Sequence, residues 1–219
     1  DSGQYVVNAS GNYVIEDNMS IDANGNQVAA GTEGSRSITP IIGNPNPDYV
    51  MNFINTISYK NFNLGFQMSH TSGGDIASAT VATLLGRGGV VEDRKNTFIL
   101  PGVLEDGTPN QLQINNSQYY FYNVLFGPKE LTVYDGSVLR LQEISLGYSF
   151  PQDMLDKTPF GSLSITATGF NLWYDAYNVP DATNFDPNVA GTGVGNGRGF
   201  DYLNGPSSKR YGISLKASF

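Results

Sequence analysis

The side chain best suited to acid–base chemistry is His70, because the sequence contains one histidine and no cysteine. A histidine can serve as the general base of a Ser–His–Asp triad, which also needs a carboxylate and a nucleophile beside it. In this chain such a triad would depend on Asp75 or on a more distant carboxylate. The sequence therefore predicts that the protein is not an enzyme and that His70 is a polar residue at the end of a strand.

Three carboxylates, Asp181, Asp186 and Asp201, lie within the Gly/Asn/Pro-rich stretch 174–207. Two carboxylates held at a fixed separation can act as an acid pair, and several can bind a cation. Aspartates in stretches of this composition are also common turn residues. We expect turn residues, and the acid-pair or cation-site alternative stays open.

Two short motifs resemble cofactor sites without meeting their requirements. Asp22, Asn24 and Asn26 alternate as in a calcium loop, but Gly25 comes too early for an EF-hand and no glutamate follows at the required distance. The stretch Gly86–Gly89 lacks the Lys-Ser/Thr pair of a phosphate loop. The sequence predicts a solvated turn at 22–26, and neither a metal nor any other cofactor.

Aromatic residues form two groups that could contact a ligand. Trp173, Tyr174 and Tyr177 are candidate substrate-binding residues, because aromatic rings stack on sugars and peptides. The same residues are typical of the aromatic belt at a membrane–water interface. Tyr119–Tyr122 have the same two interpretations, with packing of the loop against a partner as a third.

The composition favours a protein of strands and loops. The 219 residues include 26 Gly, 13 Tyr and 12 Phe, and only 15% are charged, which is unusual for a helical or α/β enzyme. The net charge of −8 argues against nucleic-acid binding, which needs a basic face. No run of about 18 apolar residues occurs, so no transmembrane helix is predicted.

Alternation of apolar and polar residues predicts five strands. In the last strand Tyr211, Ile213, Leu215 and Phe219 lie on one face, and small or polar residues lie on the other. A strand with one apolar and one wet face is expected in a transmembrane β-barrel, and a soluble sandwich is the alternative. The predicted ranges are 49–59, 62–70, 137–150, 161–173 and 208–219.

The third strand changes phase along its length. Ile144, Leu146 and Tyr148 share one parity, whereas Leu139 and Leu141 have the opposite one. A β-bulge near Gln142 or Glu143 would return all of them to one face.

The connections between these strands alternate in length. Lys60-Asn61 is a tight turn and 151–160 a moderate one, whereas 71–136 and 174–207 are long. Outer-membrane barrels have brief periplasmic turns and long extracellular loops, so the long connections are predicted to lie outside the cell. Residues 1–48, with short strands at Gln4–Val7 and Tyr13–Ile15, are predicted to be a further extracellular loop segment, and 49–219 the barrel portion.

Several motifs resemble one family. They are Gly43-Asn-Pro-Asn-Pro-Asp48, Ser58-Tyr-Lys-Asn-Phe62, Gly73-Gly-Asp75, Val138-Leu-Arg-Leu141 with Ser145-Leu-Gly-Tyr148, and Gly169-Phe-Asn-Leu172. Together they resemble, in order, the C-terminal part of SusC/RagA-type TonB-dependent transporters of Bacteroidota, over about residues 40–219. The last strand, with Tyr211, Ile213, Leu215 and Phe219, resembles the C-terminal signal that outer-membrane proteins carry for assembly.

The resemblance implies an all-β fold, namely an antiparallel segment of a transmembrane barrel of about 22 strands with long extracellular loops. Because five strands cannot close such a barrel, the chain is expected to be its C-terminal part, without the plug domain. The implied function is active import of glycans or peptides across the outer membrane of a Gram-negative cell. The implied partners are the rest of the barrel and its plug, a SusD-like surface lipoprotein that acts as a lid, TonB, the barrel-assembly machinery and outer-membrane lipid. The alternative is a soluble or surface β-sheet module that binds carbohydrate without transport.

Overall fold

The computed structural model describes residues 5–14, 20–28, 32–37, 41–91, 93–189 and 197–219. In this part of the chain the strands are β1 (Val6–Val7), β2 (Ser20–Ile21), β3 (Gln27–Val28), β4 (Arg36–Ser37), β5 (Pro47–Tyr59), β6 (Phe62–Gly73), β7 (Asp75–Ser78), β8 (Thr97–Ile99), β9 (Val103–Leu104), β10 (Gln113–Asn115), β11 (Val133–Asp135), β12 (Val138–Ser149), β13 (Ser162–Asp175), β14 (Phe200–Asp201) and β15 (Arg210–Ser218). The helices are α1 (Ala79–Gly86), α2 (Asn116–Gln118), α3 (Gln152–Leu155), a π-helix (Tyr119–Leu125) and three 3₁₀ turns (Lys129–Thr132, Asp181–Thr183 and Pro187–Val189). None of the described helices is long and apolar enough to cross a membrane.

The five long strands form one antiparallel sheet in the order β15-β13-β12-β6-β5. Their ends differ by at most three residues from the ranges expected from alternation. The sheet is open, because β5 and β15 each have one neighbour among the described residues. The all-β, antiparallel fold class is therefore confirmed, and the chain contains only a part of any closed barrel.

The short connections lie together at one end of the sheet. The amide of Ser149 donates to the carbonyl of Asn61 at 2.9 Å, and that of Gly161 to the carbonyl of Ser218 at 2.7 Å. The turn at Lys60-Asn61 is tight, and Lys60 takes a left-handed conformation there (φ 53°). The long connections 71–136 and 174–207 therefore leave from the opposite end, which we call the loop end.

The sheet has an apolar face and a polar face. One row across all five strands on the apolar face consists of Ile57, Leu64, Leu146, Ala167 and Ile213. The neighbouring row on the polar face consists of Ser58, Asn63, Gly147, Thr166 and Ser214. The apolar row is uncovered by this chain, since Leu146 is 51% and Ile213 80% exposed. Burying such a side chain away from water stabilises a protein by about 1.5–3 kcal/mol, so this face requires an apolar surrounding.

A β-bulge corrects the phase of β12, as the sequence predicts. The register with both neighbouring strands shifts between Leu141 and Glu143, so that Gln142 is the extra residue. Leu141 pairs with Met68 and Ile144 pairs with Phe66, which places all four side chains on the apolar face. The bulge thus keeps the apolar face continuous up to the loop end.

The long connection 71–136 is an ordered unit rather than an irregular loop. Helix α1 begins after Ser78, whose side-chain oxygen accepts a hydrogen bond from the amide of Val81 at 3.1 Å. Its buried side chains pack in a hydrophobic core that consists of Ile76, Val81, Ala82, Leu85, Val124, Val179 and Phe185. Since Val179 and Phe185 come from the connection 174–207, the two long connections share one hydrophobic core, and we call them together the loop unit.

A second small core joins residues 5–14 to this unit. It contains Val7, Leu100 and Ile114, all at most 3% exposed. Strand β1 pairs in parallel with β9, and Val7 also forms an antiparallel bridge with Tyr13. Gln4 and Ile15, the outer ends of the two short strands predicted near the start of the chain, lie outside the described residues.

Candidate functional site

A buried ion pair joins the sheet to the loop end. Arg140 projects from the polar face of β12, and Asp186 lies in the connection 174–207; their side chains are 4% and 1% exposed. Nη1 of Arg140 donates to Oδ2 of Asp186 at 3.1 Å, and Nη2 donates to Oδ1. This is a bidentate pair, in which a planar guanidinium matches the two oxygens of a carboxylate.

Further side chains complete the coordination of Arg140. Asn171 takes a left-handed backbone conformation (φ 54°) where β13 is irregular opposite the bulge of β12, and its side-chain oxygen accepts from Nη1 of Arg140. The amide oxygen of Asn188 accepts from Nε at 3.1 Å when its side chain is oriented to satisfy both groups. The Tyr174 ring lies 5.3 Å from the guanidinium carbon of Arg140.

We call Arg140, Asn171, Tyr174, Asp186 and Asn188 the Arg140 anchor. The hydroxyl of Tyr174 donates to the carbonyl of Asn184 at 2.7 Å, and the backbone amide of Asn188 donates to Oδ1 of Asp186 at 3.0 Å. Every strong acceptor and donor of the buried pair is therefore used within the chain. The arrangement fastens residues 184–188 onto the polar face of the sheet.

The three aspartates that could have formed an acid pair or a cation site have separate tasks. Asp186 is the partner of Arg140. Asp201 accepts hydrogen bonds from the Ser78 hydroxyl at 2.6 Å and from the Thr80 amide at 3.0 Å, so it holds the start of helix α1. Asp181 opens a 3₁₀ turn. Among the described residues, no group of three or more His, Cys, Asp or Glu side chains could hold a metal ion.

The two motifs near cofactor patterns are local turns. The carboxylate of Asp22 accepts from the amides of Asn24 and Asn26 at 2.8 and 2.9 Å, and the hydrogen bonds from Asn26 are the main reason that the pKa of Asp22 is lowered. The residues Gly86–Gly89 end helix α1, where the amide of Arg87 donates to the carbonyl of Thr83. In both motifs these polar groups form hydrogen bonds within the turn itself.

His70 lies on the apolar face near the loop end, between two tyrosines. Its Nε2 is 3.0 Å from the hydroxyl of Tyr177, and its Nδ1 is 3.4 Å from the hydroxyl of Tyr49. No carboxylate bonds to it among the described residues. This arrangement gives His70 hydrogen-bonded phenol partners in place of the orienting carboxylate that a triad needs.

The structure separates the three aromatic residues proposed to bind substrate. Trp173 pairs with Leu141 and therefore lies on the apolar face, 45% exposed. Tyr177 lies on the same face beside His70 and is 48% exposed. Tyr174 pairs with Arg140 on the polar face, within the Arg140 anchor.

The other aromatic group, Tyr119–Tyr122, forms the start of the π-helix. The ring of Tyr119 meets that of Phe98 edge-on at 5.5 Å, so this end of the group packs inside the loop unit. Burial also raises the pKa of Tyr119. Tyr122 is 54% exposed at the surface.

The residues predicted to form the assembly signal are exposed on the terminal strand. Tyr211, Ile213 and Leu215 alternate on the apolar face of β15, at 77%, 80% and 66% exposure. Phe219 is 88% exposed, and its ring lies 5.3 Å from that of Phe160 in the connection between β12 and β13. Their role in assembly remains a prediction.

Sequence reasoning missed the Arg140 anchor, although the stretches Val138–Leu141 and Gly169–Leu172 are among those that resemble the transporter family. The one available signal was a lone arginine among alternating apolar residues of β12. A charged arginine that becomes buried is costly unless a carboxylate pairs with it. The partner lies 46 positions further along the chain, in a stretch without periodicity.

Comparison with known proteins agrees with this geometry. No known family profile matches the chain. Two TonB-dependent receptors of Formosa agariphila, P3 and P26, are each 27% identical to it, over 206 and 196 residues. These alignments cover 89% and 82% of the chain but 19% and 18% of the receptors. The chain thus spans about a fifth of the length of the curated relatives it matches.

Solved structures of the RagAB peptide importer share the fold. In its "closed-closed" state the match covers 99% of this chain and 22% of that one, with 15% identity and a TM-score of 0.52. In the "open-open" state it covers 98% and 21%, with 14% identity and a TM-score of 0.54. The open sheet thus has the fold of part of the RagAB chain.

The resemblance to a part of the SusC/RagA-type TonB-dependent transporters is therefore confirmed. It is supported in sequence by the two TonB-dependent receptors, and in fold by RagAB.

Proposed function

We propose that this chain is the barrel portion of a TonB-dependent active importer in the outer membrane of a Bacteroidota cell. The observation that carries this proposal is the two-faced open sheet, with an uncovered row of apolar side chains across all five strands. An apolar belt outside and a polar lining inside are the properties of a membrane barrel. The similarity to TonB-dependent receptors of Formosa agariphila supports the same function.

The open edges indicate that further strands of the same barrel complete the sheet. Strand β5 offers 13 residues and β15 offers nine residues for pairing on their free sides. Unpaired backbone groups in a bilayer would each cost several kcal/mol, so both edges must be paired in the membrane. The remaining barrel, its plug and TonB would supply the closed pore and the pulling force, and assembly into lipid would use the barrel-assembly machinery.

The structure of the loop end is an argument for a partner on the outer side of the membrane. The two long connections share a core, and the Arg140 anchor holds them against the polar face, so that they form a rigid cover over this part of the barrel mouth. A SusD-like lipoprotein lid would close on this cover and enclose the ligand. The import substrate would be a glycan or a peptide, and RagAB is an importer of peptides.

The three aromatic candidates divide between two tasks in this proposal. Trp173 and Tyr177, on the apolar face with His70, would sit at the membrane–water interface, where such rings are enriched. Tyr174, on the polar face, would be the candidate nearest to the ligand, although its hydroxyl is bonded to the carbonyl of Asn184. No enzymatic step is part of the proposal, and the matched relatives are receptors and importers.

The native polypeptide provides the test. We expect antibodies against residues 197–219 to detect a band several times larger than 23.6 kDa in outer-membrane material, extracted only with detergent. Cells should lose uptake of labelled oligosaccharides or peptides when its gene or that of TonB is deleted. A 23.6 kDa product that is soluble without detergent would instead support a carbohydrate-binding module and contradict the importer.

A further inference from the structure

A cavity of about 330 Å³ opens on the surface of the loop unit, apart from the Arg140 anchor. It lies between the end of helix α1 and the π-helix. Its lining includes Arg87, Gly88, Arg94, Phe121 and Tyr122. The volume is in the range of sites that hold a small organic ligand or one unit of a polymer.

Two guanidinium groups, those of Arg87 and Arg94, line this cavity. Among the described residues the one ion pair is that of Arg140, so neither Arg87 nor Arg94 has an acidic group within 4.0 Å there. Nε of Arg94 donates to the carbonyl of Val91 at 3.2 Å, which fixes the side chain and leaves both terminal nitrogens for another acceptor. The chain has 20 acidic and 12 basic side chains, yet this cavity is lined by two exposed arginines and by no acidic residue that the structure describes.

The backbone and the aromatic rings hold these two side chains in place. Gly88 has φ +70°, and a Cβ at this position would lie 2.6 Å from the guanidinium carbon of Arg94, so the Arg94 side chain lies directly against the Gly88 backbone. The guanidinium carbon of Arg87 lies 5.6 Å from the centre of the Phe121 ring and 5.9 Å from that of Phe126. The cavity therefore presents fixed cations next to aromatic surface.

We propose that this cavity binds a ligand that carries a carboxylate next to a flat apolar surface. Arginine forks recognise carboxylates through paired hydrogen bonds, and the exposed ring of Tyr122 offers a stacking surface beside them. Either a uronic-acid unit of a glycan or an acidic side chain of a peptide has this chemistry. The inference rests on the proposed function only in that the cavity would meet imported ligands at the cell surface.

Binding to the intact detergent-purified polypeptide tests the site. The probes are trigalacturonate and a glutamate tripeptide, each against its neutral counterpart, the methyl-esterified trigalacturonate and a glutamine tripeptide. We expect at least one acidic probe to bind about tenfold more tightly than its neutral counterpart, and Arg87→Gln or Arg94→Gln to remove about five- to tenfold of that affinity. Lys95→Gln is the matched control, because Lys95 is exposed but does not line the cavity, and it should change affinity less than twofold.

The outcomes separate the sources of the ligand and the two proposals. Preference for trigalacturonate identifies a uronate site, and preference for the glutamate tripeptide a peptide site. Equal binding of acidic and neutral probes, absence of binding, or equal loss in the Lys95→Gln control would each overturn the inference. If uptake requires TonB but is unchanged by both arginine variants, the proposed cavity site is wrong and the importer proposal stands. If a soluble 23.6 kDa protein binds the acidic probes selectively, the importer proposal is wrong and the cavity site stands.

Discussion

Arg140 on β12 and Asp186 on the connection 174–207 form a bidentate ion pair that is almost fully removed from solvent. The pair joins a membrane-type strand to the loop unit, across 46 positions of the sequence. Removing one member would leave a buried charge without a partner. The free-energy cost of such a charge is far larger than the net stabilisation that the intact pair provides. The loop unit should therefore respond as a whole to changes at this one contact.

Arg140→Met tests this dependence. We expect the variant to lose about 3–5 kcal/mol of local stability at the loop end, because Asp186 stays buried without a partner. The double variant Arg140→Met/Asp186→Leu should recover much of that loss. Hydrogen exchange of residues 176–189 measures the change, with Arg198→Gln as a control at an exposed arginine. Equal protection in the wild type and in Arg140→Met would contradict the anchor.

Two variants of Asn171 distinguish the effect of backbone strain from the effect of side-chain hydrogen bonding on stability. Its φ of 54° favours glycine or asparagine, and its side chain binds Arg140. We expect Asn171→Gly to lose only the side-chain hydrogen bonds to Arg140 and to the carbonyl of Ser208, and Asn171→Ala to cost about 1–2 kcal/mol more, through the left-handed conformation. Thermal unfolding of the two variants compares them directly. An alanine variant as stable as the glycine variant would show that the backbone relaxes.

The alkaline stability of the loop unit should depend on Tyr134. Burial, and then the nearby Tyr119 and Tyr120, raise its pKa from 10.0 to about 12. Because the folded-state pKa is raised, its contribution to stability is complete below pH 10 and is lost as the pH rises towards 12. Tyr134→Phe should weaken the decline in stability between these values, measured by the unfolding midpoint as a function of pH. An unchanged alkaline profile in Tyr134→Phe would contradict this assignment.

Ile213 and Ser214 are adjacent residues on opposite faces of β15, both exposed in this chain. A charge on the lipid side of a barrel costs about 2–4 kcal/mol at the midplane, whereas the polar side tolerates it. We expect Ile213→Arg to reduce the amount of protein assembled in the outer membrane strongly and Ser214→Arg to leave it nearly unchanged. Quantitative immunoblotting of purified outer membranes measures both. Equal assembly of the two variants would contradict the assignment of faces.

Periodicity was sufficient to predict the sheet and its faces, including the bulge at Gln142. Alternation is a local property, because the sequence of each strand by itself indicates which of its side chains lie on the apolar face. Helix α1 was missed because a segment of eight residues is too short to show a clear helical period, and its stability comes from Phe185 and Val179 of a distant segment. The Arg140 anchor was missed for the same reason, since its geometry is set by tertiary contacts.

We propose that the sheet crosses the outer membrane with its loop end outside the cell. Because the sequence has no cysteine, a single one can be introduced at Tyr202, which is 83% exposed at the loop end, or at exposed Asp156 between β12 and β13. In intact cells a membrane-impermeant maleimide should label Tyr202→Cys, and should label Asp156→Cys only after the outer membrane is permeabilised. Labelling of Asp156→Cys in intact cells to the same extent as Tyr202→Cys would contradict the account.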